Sequence, residues 1–330
     1  MAHYLLGVDI GGTKVAAGLV NDQGALVFKT RNPMNPTGTA EEGFAAVRTA
    51  IDSTFAQNPG LKVEGIGIIS PGPLDPKRGV VINPPNIPGW RNFELAKEVE
   101  RAYHLHVLLD NDANAAGLAE AVWGVGKGYE NVLYGTLGTG FGTGIILHGR
   151  IYHGRTGAAA EGGHVSIDYR GAVYCNCGKP GCIEGLVSGT GIARRARERV
   201  AKGGQAGATI LELAGGRIEN VHGETVGSAW HRGDPLAKEI LQETADFLTV
   251  WVGNMIDVLE PDVIVFGGGV SELMHPWFSY IQQQAPKWSV NQRAAEIPLL
   301  EAKFGADAGI AGAAALCLGI KASASSGVTD

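Results

Sequence analysis

The sequence lacks any apolar run of bilayer-spanning length, and its start, MAHYLLGVDIGG, has no basic leader and reaches Asp9 before a signal-like core can form. A soluble cytoplasmic protein without a membrane partner is therefore expected. Cysteine is scarce: of four, three lie within residues 175–182 and the fourth, Cys317, sits in an Ala-rich stretch. That is not the spread framework of a secreted disulfide protein, and a reducing compartment fits it. Positive charge is also short, with 27 Lys and Arg against 33 Asp and Glu, so no general affinity for nucleic acid or anionic membrane is expected. Neither GxxxxGK[ST] nor GxGxxG occurs, which lowers the weight of the two commonest nucleotide-binding designs. Glycine, in contrast, is abundant. Its fifty copies gather in clusters between apolar segments, as in loops built for close backbone approach to a ligand. At 330 residues and 45% hydrophobic, the chain has enough apolar material for two domains, each with its own core.

The densest chemistry lies in EGGHVSIDYRGAVYCNCGKPGCIE, residues 161–184. One nitrogen of His164 and the thiolates of Cys175, Cys177 and Cys182 make a closed tetrahedral set for Zn²⁺, with no position left for water, so the metal would be structural. The competing readings are a disulfide and unrelated buried cysteines. Cys175 and Cys177 are too close in sequence to pair comfortably with each other. Glu161 and Glu184 flank the ligands, and with the other ring nitrogen of His164 they are expected to bind something rich in hydroxyls.

Taken in order, residues 4–20 read as strand, Gly-Gly turn and strand, with Asp9, Thr13 and Lys14 at the turn; a phosphate nest and an ordinary hairpin turn are equally good readings. Helical spacing follows over 39–55, then a short buried strand at 63–69. The proline-punctuated stretch 70–90 is either one wall of a cleft or a rigid connection, and Asn86 is its most ligand-like residue. A helix over 93–103 and a strand over 106–109 lead into DNDAN, 110–114, at the start of another helix. Polar residues there sit at the carboxyl edge of a sheet, where α/β proteins bind ligands, although some serve as caps. Asp112 is the candidate general base and Asp110 its rival. Residues 131–152 repeat the strand, Gly/Thr turn, strand pattern, which suggests a duplicated fold with a second phosphate nest at Gly138, Thr139 and Gly140. A helix is expected over 186–201, with Arg194, Arg195, Arg197 and Arg199 on a solvated face. A long helix follows over 235–259, for core or dimer packing. The stretch 262–269, DVIVFGGG, is a buried strand ending in glycines: a sharp turn, or a surface for a base or ribose. A small-residue helix over 307–318 and a frayed tail at 321–330 complete the chain.

Together these segments resemble the ROK family of sugar kinases, sugar-responsive repressors and N-acetylmannosamine kinases. DIGGTK (9–14) is similar to its first phosphate motif, GTLGTGFGTG (135–144) to its second, DNDAN to the catalytic segment, EGGH and CNCGKPGCIE to the sugar and zinc signature, and FGGG (266–269) to the adenosine-side motif. The resemblance implies an α/β, actin-like, hexokinase-type (ribonuclease H-like) fold of two domains around a deep cleft that closes on binding. Its domains would be 1–111, completed by a returning helix at 303–320, and 112–302, with 321–330 as a disordered tail. It implies ATP with Mg²⁺, held through Asp9, Gly11, Gly12, Thr13, Lys14, Thr136, Gly138, Thr139, Gly140, Gly268 and Gly269, and a structural Zn²⁺. The sugar would be held by Gly72, Asn86, Asn111, Asp112, Glu161, His164 and Glu184, in a homodimer or homotetramer. PNIPGW (85–90) resembles the corresponding loop of family glucokinases, so glucose phosphorylation in carbohydrate metabolism and glycolysis is the leading expectation. An N-acetylmannosamine or N-acetylglucosamine kinase is second. A repressor ranks low, because family repressors carry a helix-turn-helix domain before the first phosphate motif and here that motif begins at Asp9.

Overall fold

Strand β1 (His3–Ile10) pairs on one side with β2 (Lys14–Asn21), antiparallel, and on the other with β4 (Lys62–Ile69), parallel. The computed structural model describes residues 3–171, 173, 175–203 and 206–318. The tail expected at 321–330 and the last two positions of the helix expected over 303–320 lie outside the described residues. By contacts the chain forms two units: Met1–Glu130 with Gly144–Ala160 and the segment from Lys303 onward, and Asn131–Thr143 with Glu161–Ala302.

In the first unit, β3 (Leu26–Pro33), α1 (Ala40–Gln57), β4 (Lys62–Ile69), the small hairpin β5 (Leu74–Asp75) and β6 (Val80–Val81), α2 (Leu95–Tyr103), β7 (Val107–Asp110) and α3 (Asp112–Trp123) follow in order. The sheet order is β3-β2-β1-β4-β7, with β1, β4 and β7 parallel. The helix α1 starts at a capping box between Thr39 and Glu42 and buries Val47, Ala50 and Ile51. The C-terminal helix, numbered last as α11 (Ala308–Leu316), is Ala- and Gly-rich because it lies directly on strand backbone. A methyl group at Gly67 would stand 1.6 Å from the Ala313 carbonyl oxygen, and one at Gly7 would stand 2.0 Å from that of Ile310. On its other side Gly312 meets the backbone of Ala115 and Ala116 in α3. This contact corrects the boundary expected after residue 111: α3, whose Ala face packs on α11, belongs with the first unit. Buried Glu120 fastens the return, accepting the backbone N–H groups of Lys303 at 2.7 Å, Phe304 at 3.0 Å and Val125 at 3.0 Å.

The second half of the chain runs β8 (Asn131–Leu137), β9 (Phe141–Leu147), β10 (Arg150–Ile151), α4 (Glu184–Val187), α5 (Gly189–Val200), α6 (Ala208–Leu213), α7 (Gly223–His231), α8 (Pro235–Leu259), β11 (Val263–Gly267), α9 (Gly269–Met274), α10 (Phe278–Gln284) and β12 (Leu299–Glu301). Its sheet order, β10-β9-β8-β11-β12, repeats the topology of the first sheet: third, second and first strand, then two more parallel to the first. The duplication read from the turn pattern is thus a duplication of topology.

Two expectations need correction here. The helix expected over 186–201 is two helices, broken at Ser188, which is extended and caps α5 through its hydroxyl. Its arginines are not a solvated face. Arg195 is buried against α8, donating to the Ile240 carbonyl, Glu243 and Thr244, and its loss of water pulls its pKa down to about 10. Arg199 bonds Glu239 and Glu243, and Arg197 donates to the Val221 carbonyl. Packing of α5 between α7 and α8 turns those positions inward.

Candidate active site

At the carboxyl end of β1 the chain turns through Gly11 and Gly12, where the Gly11 N–H reaches the Lys14 carbonyl at 2.9 Å. Thr13 and Lys14 are exposed, and Asp9 is half-buried at the strand end. Burial first, and then the charge of Asp112, raise the Asp9 pKa to about 6, against the opposing pull of Lys14 and Arg31. A Cβ on Gly12 would lie 3.6 Å from the Asn86 carbonyl, so the Pro-rich loop flanks this turn. Gly72 is exposed, before a cis bond to Pro73 at the entry to β5.

The DNDAN segment divides its labour. Asp110, at the end of β7, is 3% exposed; its Oδ1 accepts the Asn111 N–H at 2.8 Å and the Asn114 amide at 3.0 Å, and its Oδ2 meets His153 Nε2 at 2.5 Å. The Asn111 side-chain oxygen caps α3 by accepting the Asn114 N–H at 2.7 Å. Asp112, at the first helical position, accepts the Ala113 N–H on Oδ1 at 2.8 Å. It keeps an open face to solvent, while protein packed around the rest of the carboxylate raises its pKa, opposed by that N–H. Of the two aspartates, Asp112 is the one whose carboxylate remains presentable to a ligand.

The second unit holds the other predicted groups. Its Gly/Thr turn is closed by Gly138 N–H on the Gly140 carbonyl at 3.0 Å. The start of α5 grips this turn: Gly189 N–H donates to the Gly138 carbonyl at 2.8 Å and Thr190 Oγ1 to that of Thr139 at 2.7 Å. Gly268 has φ 90°, and a Cβ there would meet the Leu137 carbonyl at 2.4 Å, so only glycine fits. Gly138, Thr139 and Gly269 line a cavity of about 720 Å³ together with Thr190, Arg197, His222, Ser228 and His231. Thr136, Gly140 and Gly268 are not among the residues that line it. The wall from α5 and α7 was not foreseen, although SGTG at 188–191 repeats the Gly/Thr composition of the phosphate turns.

Glu161 is exposed before the short turn 162–164, which is anchored by Gly162 N–H on Thr143 Oγ1 at 2.8 Å and by Trp251 Nε1–H on the Gly162 carbonyl at 3.0 Å. His164 directs Nδ1 to Cys175 Sγ at 3.6 Å and Nε2 toward Glu161 at 3.9 Å. Cys177 and Cys182 place their sulfurs 3.6 Å apart. All four donor atoms lie within 4.8 Å of one another. Thiolates at about 2.3 Å from a tetrahedral Zn²⁺ would be about 3.8 Å apart, so the donor set and its spacing fit that ion. Glu184 bridges this cluster and the Gly/Thr turn: Oε2 accepts the Phe141 N–H at 2.9 Å and Oε1 accepts from the Cys175 thiol at 3.2 Å. Burial pushes that thiol up to about 12.

The ROK family profile matches residues 5–320. The chain belongs to the ROK family. Like the ROK sugar kinases it has the actin-like, hexokinase-type α/β fold, here with two sheets of matching strand order. It is 33% identical over 313 residues to the glucokinase of Thermotoga maritima, covering 94% of this chain and 96% of that one. To the N-acetylmannosamine kinase of Yersinia pseudotuberculosis it is 31% identical over 309 residues, covering 94% and 96%. The crystal structure of a ROK family glucokinase from Streptomyces griseus in complex with glucose and AMPPNP matches with a TM-score of 0.78 at 34% identity, over 95% of this chain and 98% of that one. Among the described residues, no helix of this ROK chain is long and apolar enough to cross a membrane.

Proposed function

We propose that the protein is an ATP-dependent hexose kinase that phosphorylates the 6-hydroxyl of glucose, with Asp112 as general base. The observation that carries this reading is the contrast within DNDAN: Asp110 has both oxygens engaged, while Asp112 keeps an open face at the start of α3. A sugar hydroxyl is a weak nucleophile at neutral pH, and a carboxylate in reach aligns it and takes its proton as the bond to phosphorus forms. Full-length similarity to glucokinases, one of them solved with glucose and AMPPNP, supports the substrate and the donor.

Backbone N–H groups of the turns at 11–14 and 138–140 would receive phosphate oxygens, with Lys14 adding charge. Asp9 would face the Mg²⁺ that accompanies ATP, and the ion, when bound, supplies countercharge to the phosphates. The cavity between α5, α7 and α9 would take the adenosine. Asn86, Asn111, Glu161 and His164 Nε2 offer the donors and acceptors for sugar hydroxyls, with Gly72 in the neighbouring loop. The Cys₃His set would hold a structural Zn²⁺ that fixes His164 and its neighbours. A metal-bound Cys175 thiolate has no proton to give, so Glu184 Oε1 would be released for a sugar hydroxyl while Oε2 stays on Phe141.

ADP release with glucose, fructose, mannose, N-acetylglucosamine and N-acetylmannosamine tests the assignment. Glucose is expected to give the highest kcat/KM, because a site built to bond hydroxyls discriminates strongly against a sugar that leaves those groups unpaired. An N-acetyl sugar in first place would move the enzyme to that class, which its 31% identity to an N-acetylmannosamine kinase keeps as the second reading.

A further inference from the structure

His153 belongs to none of the motifs, yet it makes the shortest polar contact in the catalytic segment. Its Nε2 stands 2.5 Å from Asp110 Oδ2, with the Asp110 side chain 4% exposed and that of His153 28% exposed. The other oxygen of Asp110 holds the Asn111 N–H and the Asn114 amide, and Asn111 in turn caps α3 at Asn114. Asp110 is therefore the centre of the turn that presents Asn111 and Asp112, and His153 grips it from 43 positions away. The His153 carbonyl accepts the N–H groups of Gly157 at 3.1 Å and Ala159 at 3.3 Å, so the same residue also folds the segment that runs into Glu161.

We propose that His153 is a positioning residue for phosphoryl transfer: through Asp110 it fixes the turn on which Asn111 and Asp112 are mounted. The inference rests on the sugar-kinase reading for its effect on rate, but not for its effect on the turn. A carboxylate with one oxygen released from its partner can rotate, and the backbone N–H of Asn111 and the amide of Asn114 would follow it. Misplacing the base by a fraction of an ångström lowers the rate without removing a contact to the nucleotide.

The test compares His153→Ala, His153→Gln and His153→Asn. The Gln amide nitrogen reaches the position of Nε2 and can still donate to Asp110, whereas that of Asn is too short. Expected are a fall in kcat of about ten- to a hundredfold for Ala and Asn, recovery to within about threefold for Gln, and a KM for ATP within about threefold throughout. Hydrogen exchange of residues 107–116, measured without ligands, should rise in the Ala and Asn variants and not in Gln. Unchanged exchange there, wild-type kcat in the Ala variant, or Gln and Asn behaving alike at equal Tm would each overturn the proposal. Should Ala unfold the protein, the Gln and Asn pair carries the decision. A wild-type enzyme that phosphorylates no sugar would refute the kinase reading instead, and the exchange result would still decide the role of His153.

Discussion

Asp112 and Asp9 are two carboxylates in one unit, and each raises a different expectation. With Asp112 as the proposed base, Asp112→Asn keeps shape and most hydrogen bonding but loses the proton acceptor, so kcat is expected to fall by roughly 10² to 10⁴, with much smaller changes in glucose and ATP binding and a Tm no lower than wild type. If Asp112→Asn retains near-normal kcat while Asp110→Asn abolishes it, the base is Asp110. Because burial raises the Asp112 pKa, the acid limb of the kcat/KM profile should lie above the ordinary carboxylate range, with activity lost as pH falls through it. Asp9 bears on stability. Its pKa rises from 3.8 to about 6 on folding, so between those values the native state binds more protons than the unfolded chain. Stability therefore falls as pH rises through that window, and the full penalty stands above it. Asp9→Asn should stabilise the fold at pH 7.5 by an amount on the order of 1 kcal/mol, seen as a higher Tm, with the gain vanishing near pH 3.5 and kinase activity lost. A Tm below wild type at pH 7.5 would show that Asp9 stabilises the fold.

Among the elements, the loop from 161 to 184 has little core of its own and is held by side chains at both ends. One tightly bound zinc per chain is expected, measurable by elemental analysis of protein purified without chelator. Cys177→Ala should abolish it and lower Tm by roughly 5–10 °C, about 2–3 kcal/mol or more for a unit of this size. Zinc-free protein with full activity would remove the metal from the account. The break at Ser188 was hidden from sequence because apolar periodicity continues across it. What stops the helix is tertiary: the N–H of Gly189 and the hydroxyl of Thr190 are committed to the carbonyls of the 138–140 turn, and a continuous helix could not deliver them.

For the molecule as a whole, the first unit is assembled from three stretches of chain, and the last of them supplies α11. Truncation after residue 302 would uncover β1 and β4 and leave Glu120 without two of its backbone donors. The truncated chain is expected to be insoluble, or to expose its first 130 residues to proteolysis. A soluble, protease-resistant product would contradict the dependence on α11. The sequence determined what contiguous residues can encode: the Gly/Thr turns, the strand end that carries Asp9, the strand-to-helix junction that carries Asp112, the Cys₃His donor set and, through its motifs, the family. It ranked Asp112 above Asp110 as the base, set Arg195 on a solvated face, and said nothing of His153 or of the cavity wall from α7. The tertiary structure adds the partners of these groups, because whether a carboxylate is spent or open depends on which donors the folded backbone brings to its second oxygen. In Asp110 that donor is a histidine from another segment, and no local pattern announces it.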